Sequence, residues 1–191
     1  MAARFTDLQK DKLIHMFELL DVDGNGVLEY DDFRMVVDTM ADERGLDRSS
    51  RRYLSLLAGN KRLWKMFSRH LDIDNDGQIT LAEWLAFHIK AFVSDPVANG
   101  LDPKFSSALN STAKFFLELL DSDGDGVVSV EDYVMFCGAY NVGENEARIG
   151  FEMFDRDGNG QLSQEEVITM VQEFYLSDDP ESLGNLFFGN L

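Results

Sequence analysis

Four copies of one short pattern, D-x-[DN]-x-[DN]-G, punctuate the sequence: DVDGNG at 21–26, DIDNDG at 72–77, DSDGDG at 121–126 and DRDGNG at 155–160. A chain that repeats one turn-forming device four times is assembled from repeated supersecondary units. The sixth residue is always glycine (Gly26, Gly77, Gly126, Gly160), where the backbone turns sharply and a side chain would be costly. The eighth is aliphatic: Leu28, Ile79, Val128 and Leu162. That position suits a short strand pairing two loops back to back, with the aliphatic side chain buried between them.

Apolar residues at helical spacing flank every copy. Ahead of the loops stand Leu13, Phe17 and Leu20; Leu63, Phe67 and Leu71; Phe116, Leu117 and Leu120; Phe151 and Phe154. Behind them stand Phe33, Val36, Val37 and Met40; Trp84, Phe87 and Phe92; Tyr133 and Phe136; Val167, Met170, Val171 and Phe174. The unit is helix, loop, helix, and the fold class is all-α with short antiparallel β-bridges between paired loops. In such a frame the aromatic stripes read as core rather than as a ligand pocket.

A hard divalent cation takes six to eight oxygens, and a twelve-residue loop offers them from positions 1, 3, 5, 7, 9 and 12, the seventh through its backbone carbonyl. The first loop supplies Asp21, Asp23, Asn25, the carbonyl of Val27, Glu29 directly or through water, and Asp32. The second supplies Asp72, Asp74, Asp76, the carbonyl of Gln78, Thr80 through water, and Glu83. The third supplies Asp121, Asp123, Asp125, the carbonyl of Val127, Ser129 through water, and Asp132. The fourth supplies Asp155, Asp157, Asn159, the carbonyl of Gln161, Ser163 through water, and Glu166.

The four stretches DVDGNGVLEYDD, DIDNDGQITLAE, DSDGDGVVSVED and DRDGNGQLSQEE resemble the EF-hand superfamily, which implies up to four bound calcium ions. Within it, the opening FTDLQKDKLIHMFELLD, the first loop ending in Asp31, Asp32 and Phe33, and the closing FYLSDDPESLGNLFFGNL resemble the sarcoplasmic calcium-binding proteins and their relatives calexcitin and calerythrin. That resemblance implies one compact globule of two EF-hand pairs packed face to face. Residues 1–95 would carry loops 21–32 and 72–83, and residues 96–191 loops 121–132 and 155–166. The tail 177–191, through Leu183, Leu186, Phe187 and Phe188, would plug the apolar interior. One departure stands out: all four loops look competent, where relatives often lose one or two.

The loops fall into two types. The first and third have Val at position 7 and Asp at 12; the second and fourth have Gln at 7 and Glu at 12. Asp is one methylene shorter than Glu and more easily offers a single oxygen, so the odd loops tend towards the six-coordinate, tighter cage that suits magnesium. The alternative is that the exiting helix moves inward and Asp32 still chelates calcium. First-position Asp residues lie 51, 49 and 34 residues apart, which leaves extra material near 41–60 and 94–110. The former holds Arg44, Arg48, Arg51 and Arg52, the latter Pro96, Gly100 and Pro103, and both read as linkers folding the halves together.

Charge narrows the partners. With 35 acidic and 17 basic residues the formal charge is −18, which disfavours nucleic acid and anionic membrane surfaces. Four divalent ions add eight positive charges and bring it to −10, so metal should stabilise the fold. No apolar run reaches membrane-spanning length, and Arg4, Asp7, Lys10, Asp11 and Lys12 interrupt any secretion signal at the start. Ala2 stands where myristoylation requires glycine, and Asn110-Ser111-Thr112 reads as a helix cap rather than a glycosylation acceptor. The single cysteine, Cys137, lies in an apolar run and reads as a buried thiol. A cytoplasmic monomer with no stable membrane insertion is expected.

The leading functional expectation is a calcium buffer that also takes magnesium. A second is a sensor that opens an apolar groove and binds a protein target; eight Met residues are compatible with it, but they are scattered and the apolar tail opposes an open groove. A third is a coelenterazine-binding or photoprotein relative, for which His15, His70, His88, Trp64 and Trp84 are the available side chains. No enzyme is expected, because the clustered carboxylates are committed to cation chelation and no nucleophile and base stand out.

Overall fold

The computed structural model describes residues 6–43, 45–93, 109–110, 113–114, 116–117, 120–121, 125–139 and 142–187. Among these residues it contains seven α-helices: α1 (Asp7–Leu20), α2 (Tyr30–Glu43), α3 (Arg51–Leu71), α4 (Leu81–Val93), α5 (Val130–Ala139), α6 (Glu144–Phe154) and α7 (Gln164–Leu176). Four two-residue strands sit in the loops: β1 (Val27–Leu28), β2 (Ile79–Thr80), β3 (Val128–Ser129) and β4 (Gln161–Leu162). A short 3₁₀ turn, Leu183–Leu186, closes the described chain.

Local chemistry sets the helix ends at the loops. Asp21, Asp72 and Asp155 are C-caps of α1, α3 and α6, each donating its backbone N–H one turn back, to the carbonyls of Phe17, Ser68 and Phe151. Asp121 donates in the same way to Leu117. On the exit side Ser163 caps α7: its hydroxyl accepts the Glu166 N–H while the Glu166 carboxylate accepts the Ser163 N–H. Each loop is thus clamped between the end of one helix and the start of the next.

β1 pairs antiparallel with β2, Leu28 facing Ile79, and β3 with β4, Val128 facing Leu162. All four aliphatic side chains have 0% exposure, as their place at position 8 requires. The flanking stripes are core: Leu13, Phe17, Leu20, Phe33, Val37, Phe67, Trp84, Phe116, Phe136, Phe151, Phe154 and Phe174 are all buried. Leu117 and Phe87 are half-buried against that core, and the side chain of Phe92 lies outside the described residues.

One sequence expectation is corrected here. The stretch 41–60 is not a linker: residues 41–43 finish α2 and residues 51–60 form the first half of α3, a helix of 21 residues. Tyr53, Leu56, Asn60, Leu63 and Phe67 recur at helical spacing on its buried face, while Arg51 is exposed and Arg52 half-buried. Ser50 caps α3 by accepting the Tyr53 N–H. The proposed boundary at residue 95 falls among residues 94–108, outside the described residues.

The first and last helices meet. α1 packs on α7 and α2 on α5. His88 of α4 stacks on Tyr175 of α7, centroids 5.8 Å apart and planes at 16°. Burial pushes the His88 imidazole down to about 4, and its Nδ1 lies 2.7 Å from the Trp84 carbonyl oxygen, so the ring is neutral with its proton on Nδ1. Lys12 of α1, only 1% exposed, donates from Nζ to the Ser177 carbonyl at 2.7 Å and to Asn185 Oδ1 at 3.1 Å, and lies 5.6 Å from the Phe174 ring. Gln9 Nε2 donates to the Leu176 carbonyl beside it.

These contacts cap the C-terminal end of α7 and hold the closing turn. Phe187 is fully buried among Phe116, Phe136 and Phe174, with Leu183 and Leu186 packed against the same core; Phe188 lies outside the described residues. Gly184 passes so close to α7 that a Cβ there would stand 2.4 Å from Glu173 Cβ. Among the described residues no helix is long and apolar enough to cross a membrane.

Candidate metal centres

Each loop first organises its own carboxylates through its backbone. In the first loop the Asn25 N–H donates to Asp21 Oδ1 and Asp23 Oδ1, and the Gly26 N–H to Asp21 Oδ2 at 2.8 Å. Asp76 and Gly77 make the same bonds to Asp72 and Asp74, and Asn159 and Gly160 to Asp155 and Asp157. Position 7 then donates its N–H to position 5 in all four loops: Val27 to Asn25, Gln78 to Asp76, Val127 to Asp125 and Gln161 to Asn159. The tight wrap needs left-handed backbone at two places. Gly26 takes the sixth position at φ +88°, and in the second loop Asn75 takes the fourth at φ +60°, a conformation Asn tolerates better than other side chains.

Position 12 closes each loop from the exit helix. Glu83 accepts the Ile73 N–H on one oxygen and the Thr80 N–H and hydroxyl on the other; Glu166 accepts the Arg156 N–H and the Ser163 N–H and hydroxyl. Asp32 reaches the equivalent donors, Val22 N–H at 3.1 Å and Glu29 N–H at 2.8 Å, despite its missing methylene. Asp32 is 1% and Asp132 6% exposed, whereas Glu83 and Glu166 are half-buried. Asp132 Oδ2 likewise accepts the Ser129 N–H and hydroxyl. The N–H donors at position 2 (Val22, Ile73, Arg156) were invisible to a reading of ligand positions, since any residue supplies a backbone N–H.

Carboxylate oxygens therefore converge. In the groups Asp21, Asp23 and Asp32; Asp72, Asp74 and Asp76; and Asp155, Asp157 and Glu166, one oxygen from each residue lies within 4.8 Å of the others. Calcium takes oxygens at about 2.3–2.6 Å, so a single ion can touch all three members of such a group. The donor set is all oxygen and anionic, which fits a hard divalent cation and no soft metal. In the third loop Asp121 and Asp132 are buried and Asp125 is exposed; Asp123 lies outside the described residues.

The electrostatics are those of a site that lacks positive charge. Burial pushes the Asp32 carboxyl up; the backbone donors of Glu29 and Asp23 pull it back, and the neighbouring Asp23 and Asp21 charges push it up again. Burial also works against ionising Glu83 and Glu166. There the Thr80 and Ser163 donors, with the N–H groups of positions 2 and 3, outweigh it and hold both carboxyls below their ordinary range. Two sequence assignments stand apart from the groups. Glu83 lies outside the three carboxylates of its own loop, and Glu29 turns away from the first loop, its Oε1 accepting a hydrogen bond from the Gln78 side chain of the second.

A model of the EF hand matches residues 13–37, 69–88 and 114–136, and a model of an EF-hand domain pair matches residues 137–173; together they span more than half of the chain. Calerythrin of Saccharopolyspora erythraea is 26% identical over 180 residues, which is 94% of this chain and 99% of the relative. The sarcoplasmic calcium-binding proteins I, III and IV of Branchiostoma lanceolatum are 24% identical over 132 residues, 69% of each chain. Among solved structures, the coelenterazine-binding protein of Renilla muelleri in its calcium-loaded apo form superposes with a TM-score of 0.77 at 19% identity, covering 97% of this chain and 99% of that one. That likeness is one of fold. Four loops paired in register, three of them gathering carboxylates among the described residues, and matches over more than half of the chain make it a member of the EF-hand superfamily.

Proposed function

We propose that the protein is a calcium buffer of the sarcoplasmic calcium-binding type, acting in the cytoplasm as a monomer and taking magnesium as well. Its ligands are the side chains at positions 1, 3, 5 and 12 and the position-7 carbonyls of the loops 21–32, 72–83, 121–132 and 155–166. The convergent carboxylate groups support divalent cation binding, and the relationship to calerythrin and the sarcoplasmic proteins supports calcium as the ion. The observation that carries buffering over sensing is the docked tail. Phe187 is buried in the interior, and Lys12 ties the end of α7 and Asn185 to the first helix, which favours a tail that stays in place. A sensor reading finds support in a cavity of about 420 Å³ between α5 and α6, lined by Tyr133, Val142, Ile149, Met153 and Leu186.

Asp at position 12, one methylene shorter than Glu, supports a tighter cage in the odd loops and hence a magnesium preference there. Calorimetric titration tests both statements. Calcium alone should titrate four sites, and in millimolar magnesium the first and third loops should be occupied beforehand and need exchange. Asp32→Glu should raise the calcium preference of the first loop over magnesium. Fewer than three calcium sites would overturn the buffer, and an Asp32→Glu variant with both affinities unchanged would overturn the selectivity.

A further inference from the structure

The antiparallel register that pairs Val27 with Thr80 and Leu28 with Ile79 sets Glu29 directly opposite Gln78. Gln78 Nε2 donates to Glu29 Oε1 across this ribbon, between position 7 of the second loop and position 9 of the first. Glu29 stands outside the Asp21, Asp23 and Asp32 group, and its carboxylate faces a cleft of about 340 Å³ lined with Tyr30, Trp64, Asp76, Gly77 and Gln78. The other pair of loops has no such side chain to share: the corresponding residues are Ser129 and Gln161, and the Ser129 hydroxyl donates within its own loop to Asp132.

We propose that Gln78 withholds Glu29 from the first loop's cation, lowering that loop's calcium affinity and coupling it to the second loop. This rests on the calcium-binding function proposed above. A charged carboxylate at position 9 is the strongest donor the first loop could add to its three clustered carboxylates, and a charged acceptor bonded to an amide donor is not given up without cost. Glu29 lines the cleft together with Asp31 and with Asp76 of the second loop. Cation charge delivered to the second loop attracts Glu29 and holds it more firmly on that side. The second loop therefore fills first, and its filling keeps the first loop weak. By reciprocity, occupation of the first loop weakens the second by the same factor.

The test uses the full chain and calcium, followed by the backbone amide resonances of Gly26 and Gly77, each of which donates to the first-position carboxylate of its own loop. In the wild type Gly77 should respond at lower calcium than Gly26. Gln78→Met keeps the position-7 carbonyl and removes the side-chain donor. It should strengthen the Gly26 transition by a factor on the order of ten, and Glu29→Gln added to it should reverse the gain. Europium luminescence lifetimes give a second readout, with about one fewer bound water in Gln78→Met than in wild type as the carboxylate enters. A Gly26 transition unchanged or weakened in Gln78→Met, with calcium still binding, overturns the coupling and leaves the buffer standing. Gly26 and Gly77 resonances that ignore calcium in the wild type overturn both.

Discussion

Stripping divalent cations with a chelator should lower the midpoint of thermal unfolding by roughly 20 °C or more relative to saturating calcium. A ligand held at 100 times its dissociation constant stabilises by about 2.7 kcal/mol per site, so four sites contribute on the order of 11 kcal/mol. For a chain of this size each kcal/mol moves the midpoint by about 2–4 °C. The physical source is visible at Asp32, where burial and the Asp21 and Asp23 charges disfavour the ionised carboxylate, and it recurs across a protein whose net charge is −18. Differential scanning calorimetry with calcium and with chelator measures it directly. A shift below about 5 °C would mean that the loops hold their shape by hydrogen bonds alone.

Lys12→Ala should destabilise the calcium-loaded protein by about 2–5 kcal/mol. It removes a buried stem and leaves the Ser177 carbonyl and Asn185 Oδ1 without their donor, at about 1–3 kcal/mol for each buried unpaired group. Lys12→Met, which keeps the stem, should cost less, because it also removes the burden of burying a charge. Titration separates the two contributions. Burial lowers the Lys12 ammonium from its ordinary 10.5 to about 8, so the folded protein sheds this proton before the unfolded chain does. Wild-type stability should therefore rise, relative to Lys12→Met, as pH climbs from about 8 to about 10.5, and the difference should be flat below 8. Thermal midpoints of both proteins across that range decide it. Parallel curves would mean that burial does not lower the Lys12 ammonium in the folded protein.

The loops could be read from sequence because each of their constraints is local. Position 6 needs a left-handed backbone, position 8 a buried aliphatic side chain and position 12 a carboxylate, and all lie within twelve residues. What escaped was long in sequence or silent in composition. Lys12 meets Asn185 across 173 residues, and nothing in the run QKDKL distinguishes a buried lysine from a solvated one. Gln78 was counted only for its carbonyl, and its side chain became legible once the register set it opposite Glu29. The stretch 41–60, with Arg44, Arg48, Arg51 and Arg52, has the charge of a linker, but the spacing of Tyr53, Leu56 and Asn60 continues unbroken into Leu63 and Phe67 and makes 51–60 part of α3.

Burial explains the retuned position 12 better than length alone. Asp32 forms the same two kinds of backbone bond as Glu83 and is the more deeply buried of the two, so the shorter side chain keeps the contact. The start of α2 also places Glu29 where Gln78 can reach it.

The central claim is that calcium fills the loops without opening the interior, and the fluorescence of a dye that brightens on apolar surfaces, titrated with calcium, tests it most directly. With Phe187 buried and Lys12 bound to the end of α7, calcium should leave the fluorescence unchanged or lower it, as loading tightens a fold that charge repulsion had loosened. A large calcium-dependent rise would contradict the buffer and establish a sensor that presents a groove to a partner.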